Sequence, residues 1–269
     1  MLVFPNAKIN FGLYVVALRR DGFHNIESVL WPVPWHDILE IVPSADGRFS
    51  FRQTGLELTT PASGNLVVKA WEQMQQAFDL PMVHIHLHKL IPPGSGLGGG
   101  SSDAAHTITA LNDLFSLGLR SRRMQKLAAN IGSDCPFFID GKPHFVAGTG
   151  TLLSETQVDL KGLHIGIVKP DIQISSARAY QEITPSPAPN NWENPGKNPE
   201  KWEENVFNQF ETYVFREYPG IRAIKDDMTS LKAVYTSLSG SGSAVYGLFQ
   251  QKPNMAQWFP QFVTWQGQL

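Results

Sequence analysis

Residues 88–115, HKLIPPGSGLGGGSSDAAHTITALNDLF, place five glycines between Gly94 and Gly100, immediately ahead of a helical pattern. Without a Cβ, glycine lets backbone amides turn toward an anion, and the N-terminus of the following helix adds its partial positive charge. Ala104, Ile108, Leu111 and Phe115 recur at helical spacing and set the course of that helix. Ser101, Ser102 and Asp103 are helix-capping residue types, and a serine hydroxyl there can also meet phosphate or its metal. A hinge or a tight packing turn uses glycine too. A loop this dense that opens straight into a helix points instead to phosphate binding.

Strand and helix signals surround the loop and predict an α+β fold. AKINFGLYVVAL (7–18) is rich in Val, Phe and Tyr and runs toward the turn signal Asp21-Gly22. DILEIVP (37–43) and RFSFRQT (48–54) read as strands, with Asp46-Gly47 between them as a hairpin turn. NLVVKAWEQMQQAF (65–78) reads as a helix capped by Asn65, with Val68, Trp71, Gln75 and Phe78 along one face.

MVHIHLHKLI (82–91) alternates strictly, with Val83, Ile85 and Leu87 on one face and His84, His86 and His88 on the other. Imidazoles sharing a strand face can converge on a metal. No carboxylate or cysteine joins them, so a solvated sheet face is the simpler reading. MQKLAANIG (124–132) forms a short helix closed by Gly132, while GLHIGIVKP (162–170) and AVYGLFQ (244–250) form strands. The Pro- and Asn-rich run 184–204 is an irregular excursion. A change of pattern near 150–162 gives an expected division into 1–155 and 156–269.

Composition excludes several classes. A chain of 269 residues, 42% hydrophobic, can bury roughly three quarters of its unfolded surface and needs no disulfide or structural metal. A net charge of −2 offers no footprint for nucleic acid or an anionic membrane. The single cysteine, Cys135, fits a reducing compartment. No run of eighteen apolar residues occurs, and the N-terminus lacks the pattern of a secretory signal, so a cytoplasmic location is expected.

Known phosphate loops narrow the choice. A Walker loop needs Gly-Lys-Ser/Thr, and no lysine follows these glycines. Gly94, Gly96 and Gly99 satisfy G-x-G-x-x-G, but a dinucleotide site also wants an acidic residue about twenty positions on, where FSLGLRS stands. The His-Arg-Asp and Asp-Phe-Gly signatures of protein kinases are absent.

What remains, PPGSGLGGGSSDAA (92–105), resembles the ATP loop of the superfamily of galactokinase, homoserine kinase, mevalonate kinase and phosphomevalonate kinase. PNAKINFGLYVVALRRDGFHNI (5–26) and SLSGSGSAVYGLF (237–249) are similar to that superfamily's flanking segments, in its order, so the resemblance spans the chain. DGFHNIES (21–28) and NIGSDCPFFIDG (130–141) resemble its branch acting on a cytidine diphosphate-linked methylerythritol in non-mevalonate isoprenoid synthesis.

The resemblance implies a two-domain small-molecule kinase fold, with mixed and antiparallel sheets, that uses ATP and Mg2+. Pro92 and Pro93 would lead into the triphosphate loop, formed by Gly94, Ser95, Gly96, Leu97, Gly98, Gly99 and Gly100 and closed by Ser101 and Ser102. Ser102 would be the contact to the metal. Asp134 would accept the proton of the substrate hydroxyl, with Lys8 beside it favouring the ionised forms. Phe23 and Tyr180 would sandwich the cytosine, His24 would hydrogen-bond it, and Asn10 and Ser176 would meet other polar groups of the substrate. Phe23 departs from the tyrosine common in relatives, which keeps the ring and loses a hydroxyl. Ser176 stands where threonine is common.

The expected partner is thus a small molecule rather than nucleic acid or membrane, with monomer and homodimer both open. Rival readings are a sibling kinase for homoserine or mevalonate, a catalytically inactive nucleotide-binding sensor, and a dinucleotide-dependent enzyme. A sibling needs no aromatic pair around His24, and a sensor has no use for both Lys8 and Asp134.

Overall fold

The computed structural model describes residues 1–57, 64–196 and 198–269, with backbone only at Glu200. Among these the strands are β1 (Leu2–Val3), β2 (Asn6–Leu18), β3 (His24–His36), β4 (Ile38–Pro43), β5 (Ser50–Gly55), β6 (Val83–Lys89), β7 (His144–Gly148), β8 (Leu152–Ser154), β9 (His164–Lys169), β10 (Tyr235–Leu238), β11 (Val245–Phe249) and β12 (Val263–Gln268). The α-helices are α1 (Leu66–Phe78), α2 (Gly99–Leu114), α3 (Ser121–Ala129), α4 (Ser176–Gln181), α5 (Phe210–Glu217), α6 (Pro219–Ser230) and α7 (Met255–Trp258). The expected α+β class holds, and the chain parts into two compact units that interleave along the sequence.

The first unit comprises Met1–Ala7, Trp35–Pro93 and Gly98–Lys142. Its sheet has the order β1-β4-β6-β5, with β6 antiparallel to β4 and parallel to β5. The alternation in β6 sends Val83, Ile85 and Leu87 inward, where they meet Val67, Trp71 and Met74 of α1 and Ile108 and Leu111 of α2. Asn65 caps α1 by accepting from the Val67 amide, as expected. The helix turns Val67, Ala70, Trp71 and Met74 furthest inward, while Gln75 and Phe78 are half-buried.

The expected β4–β5 hairpin is not formed. β6 inserts between the two strands and bonds both, because its apolar face completes the centre of this core while β5 serves as an edge. A turn dipeptide reverses the chain; it does not choose the strand's partner.

The second unit comprises Lys8–Pro34, Gly94–Leu97 and Pro143–Leu269. The expected boundary at 155/156 falls inside it. One sheet has the order β2-β3-β7-β8, and the other, β10-β11-β9-β12, is antiparallel throughout. Leu13, Val15 and Ile26 join Phe210, Val214, Ile221 and Met228 in one apolar core.

β3 gave no strand signal because Pro32 and Pro34 interrupt it. Its pairing with β7 covers Ile26 to Leu30 and ends before either proline, so neither missing amide falls in that ladder. The run 184–204 is irregular apart from a 3-10 turn at Pro199–Glu204, and position 197 lies outside the described residues. Two tryptophans pin it: Trp192 against Tyr14 at 4.7 Å and Trp202 against Phe11 at 5.0 Å between ring centroids.

Candidate functional site

α2 begins inside the glycine run. Gly98 occupies its cap with φ +72°, and the Ser102 amide already donates to the Gly98 carbonyl at 2.9 Å. Ser101, Ser102 and Asp103 therefore lie inside the helix rather than at its cap, and no side chain caps it. The correction has a simple cause. Glycine is itself an accepted cap, so the helix starts as soon as the chain leaves the left-handed conformation. The first N–H groups of a helix have no partner within it, and here Gly99 and Gly100 carry two of them.

The preceding stretch, Gly94 to Leu97, is clamped to the second glycine loop. Ser239 Oγ donates to the Gly96 carbonyl at 2.9 Å and the Ala244 amide to the Ser95 carbonyl at 3.0 Å. A Cβ on Gly96 would lie 1.9 Å from the Ser239 carbonyl oxygen, so only glycine fits at that crossing. SLSGSGS is thus the seat on which this part of the phosphate loop rests. From the other side, the Lys8 amide donates to the Leu97 carbonyl at 2.9 Å.

Lys8 itself is buried on β2 and donates from Nζ to Asn10 Oδ1 at 2.6 Å. Asn10 Nδ2 donates to Ser28 Oγ at 2.8 Å, and Ser28 in turn donates to the Gly12 carbonyl at 2.6 Å. The backbone carbonyl of Asn10 receives the Tyr246 hydroxyl at 2.8 Å. Asn10 therefore stands in this structure as the orienting partner of Lys8, with both ends of its amide engaged by protein.

Asp134 takes the position before the 3-10 turn Cys135–Ile139, without making a side-chain capping bond, and is half-buried. The neighbouring Cys135 is buried; desolvation pushes its thiol up to about 12 despite a hydrogen bond with Ser101. Ser102 is fully buried, with its hydroxyl 3.3 Å from His106 Nδ1.

Of the expected base-binding residues, the structure brings His24 and Tyr180 together as stacked rings, 5.2 Å apart and inclined by 23°. Tyr180 also meets Phe210 edge-on at 4.9 Å. Phe23 is 62% exposed, which removes core packing as an account of it. Ser176 shares a 2.7 Å hydrogen bond with Ser241 of the second glycine loop.

The histidine row faces outward as expected and meets the hydroxyls of β5, Ser50 for His84 and Thr54 for both His86 and His88. Contrary to expectation a carboxylate does join it, Asp46 Oδ1 standing 3.5 Å from His84 Nε2. Among the described residues no group of three or more His, Cys, Asp or Glu is arranged to hold a metal. No helix among them is long and apolar enough to cross a membrane.

One cluster escaped the sequence reading. Lys89 Nζ bridges the buried carboxylates of Asp37 and Asp103. Burial works against the Lys89 charge, but the fields of Asp103 and Asp37 outweigh it and raise its pKa. Desolvation, aided by the Asp37 charge, pushes Asp103 up to about 8 against the pull of Lys89. A signal was present: Lys89 keeps the parity of Val83, Ile85 and Leu87, and a lysine on the apolar phase of a strand needs a buried counter-charge.

Residues 65–142 match the family profile "GHMP kinases N terminal domain" and residues 192–257 match "GHMP kinases C terminal". A protein of Parabacteroides distasonis named 4-diphosphocytidyl-2-C-methyl-D-erythritol kinase is 41% identical, covering 100% of both chains. The chain belongs to the 4-diphosphocytidyl-2-C-methyl-D-erythritol kinase family. A Bacteroides fragilis protein of the same name is 42% identical over 96% of this chain and 95% of its own. Among solved structures, a 4-(cytidine 5'-diphospho)-2C-methyl-D-erythritol kinase superposes with a TM-score of 0.82 at 27% identity, covering 99% of this chain and 98% of that one. Homoserine kinase from Cytophaga hutchinsonii, at 16% identity and a TM-score of 0.66, shares the fold.

Proposed function

We propose that this chain transfers the γ-phosphoryl of ATP to the 2-hydroxyl of 4-diphosphocytidyl-2-C-methyl-D-erythritol, a step of non-mevalonate isoprenoid synthesis. The observation that carries the reading is the end-to-end 41% identity to a kinase of that name. The chain is an ATP-dependent small-molecule kinase of the GHMP type. The single unpaired thiol supports a cytoplasmic setting.

Phosphoryl transfer needs positioning and charge stabilisation more than covalent chemistry. In our reading the loop from Pro92 to Ser102 holds the triphosphate through backbone amides at the start of α2. Asp134 accepts the hydroxyl proton, and Lys8, held by Asn10, stabilises the developing alkoxide. Magnesium, when bound, would supply charge neutralisation at the phosphate oxygens. Ser102 is its proposed protein contact, for which its hydroxyl must turn from His106.

Phe23 and Tyr180 would receive the cytosine, with His24 at its edge. His24 and Tyr180 stack on each other and Phe23 is exposed; in this reading the base would lie on the ring of Phe23 and on the face of Tyr180 that the imidazole yields. The first half of the chain, 1–155, carries the ATP loop, and 156–269 supplies Ser176 and Tyr180 to the substrate. Coupled ADP release with the cytidyl alcohol, homoserine and mevalonate tests the whole reading. The cytidyl substrate should exceed the other two in kcat/KM by orders of magnitude. Comparable turnover of mevalonate or homoserine would assign the chain to a sibling activity.

A further inference from the structure

The Asp37–Lys89–Asp103 cluster connects the two stems of the glycine loop. Asp37 Oδ1 accepts the amides of Leu90 at 2.6 Å and Ile91 at 2.8 Å, the last residues before Pro92 and Pro93. Its other oxygen accepts from Lys89 Nζ. The same ammonium donates to Asp103 Oδ2 at 2.7 Å, and Asp103 lies in the opening turns of α2, just past the loop. Gly99 makes room for this arrangement, since a Cβ there would stand 3.2 Å from Lys89 Nζ and 2.9 Å from Ile91 Cγ2.

Stability alone does not explain such a group. Burying charges is costly, and apolar residues of like volume commonly serve as well or better. Asp103 Oδ1 is moreover buried with no hydrogen-bond partner among the described residues, a further cost. What ions supply and apolar packing lacks is direction: fixed donor–acceptor geometry between the strand entering the loop and the helix leaving it.

We propose that Asp37, Lys89 and Asp103 are positioning residues that staple the two stems of the phosphate loop, so that its amides are preset for the triphosphate before nucleotide arrives. The inference rests on the reading that this loop holds ATP.

The test compares wild type with Asp37→Asn/Lys89→Met/Asp103→Leu, which leaves no buried charge in the cluster and keeps an acceptor for the Leu90 and Ile91 amides. Asp103→Asn is carried in parallel and keeps the test readable if the triple variant does not fold. Two quantities are measured on folded protein: hydrogen exchange of amides 94–102 without nucleotide, and affinity for a non-hydrolysable ATP analogue. Exchange should quicken and affinity fall about ten- to hundredfold in the triple variant, the range typical when support behind a site is lost. Asp103→Asn should shift both quantities the same way by less. The KM of the cytidyl alcohol should hardly move, which a general loss of structure would not permit.

Analogue affinity within about twofold of wild type in a folded variant overturns the staple. Gly98→Val distinguishes the two ways of failing. If it abolishes nucleotide binding while the cluster variants do not, the staple is wrong and the loop assignment stands. If neither change affects binding, the loop assignment has failed with it.

Discussion

A lysine reaching its partner through β2 and a half-buried aspartate before a 3-10 turn are ordinary features until chemistry is asked of them. Asp134→Asn keeps the shape and removes the charge and the proton acceptor. General-base groups typically contribute about 10²–10⁴-fold, so kcat should fall within that range while substrate affinities stay close to wild type. Lys8→Ala should lower kcat too. The double variant should be far less impaired than the product of the two losses, because the proposed mechanism has both act on one hydroxyl. Near-normal turnover of Asp134→Asn, or strictly multiplicative losses, would dismantle the pair. Phe23 offers a cleaner case because it is 62% exposed. Its removal should cost little stability, and a lost stacking face is worth about 1–3 kcal/mol. Phe23→Ala should therefore raise the KM of the cytidyl alcohol about ten- to hundredfold and leave that of ATP nearly unchanged; parallel losses for both would move the base elsewhere. Phe23→Tyr should be close to neutral.

The elements divide into those local pattern reveals and those it hides. The alternation of β6 and the Asn65 cap of α1 were legible because each is decided within a few residues. The partner of β4 was not, because β6 lies some forty positions further along the chain and pairing is settled by the shared core. The same limit applied to the glycine loops. Five close glycines announced a backbone that approaches something, but the seat for Gly96 comes from Ser239, far along the sequence. A paired substitution tests that seat. Gly94 (φ +60°) and Gly96 (φ +81°) are both left-handed, which alone costs an alanine of order 1–3 kcal/mol. Gly94 has open space where a Cβ would point, whereas Gly96 meets the Ser239 carbonyl. Gly96→Ala should therefore shift the denaturation midpoint well beyond Gly94→Ala. Equal midpoints for the two variants would mean that the loops are not clamped together in solution.

For the molecule as a whole, the interleaving of its two units decides how it can be cut. The segment Lys8–Pro34 belongs to the same compact unit as Pro143–Leu269, so a break at 155/156 severs that unit from its own strands. A fragment 156–269 keeps α5, α6 and the β10-β11-β9-β12 sheet but loses Leu13, Val15 and Ile26 from its core. Its Tyr246 hydroxyl loses the Asn10 carbonyl, and Phe207 and Gln209 lose their backbone bonds with Leu13. Each polar group left buried without a partner costs about 1–3 kcal/mol, against a total stability of about 5–15 kcal/mol for a typical domain. The complementary fragment 1–155 uncovers Tyr14 and Gly12 where Trp192 now packs. Expressed singly, 156–269 should show no cooperative thermal transition and little near-UV circular dichroism. Co-expressed with 1–155, it should recover both, since the missing strands return as separate chains. A sharp melting transition from 156–269 alone would show that β9 to β12 and their helices sustain a core without β2 and β3.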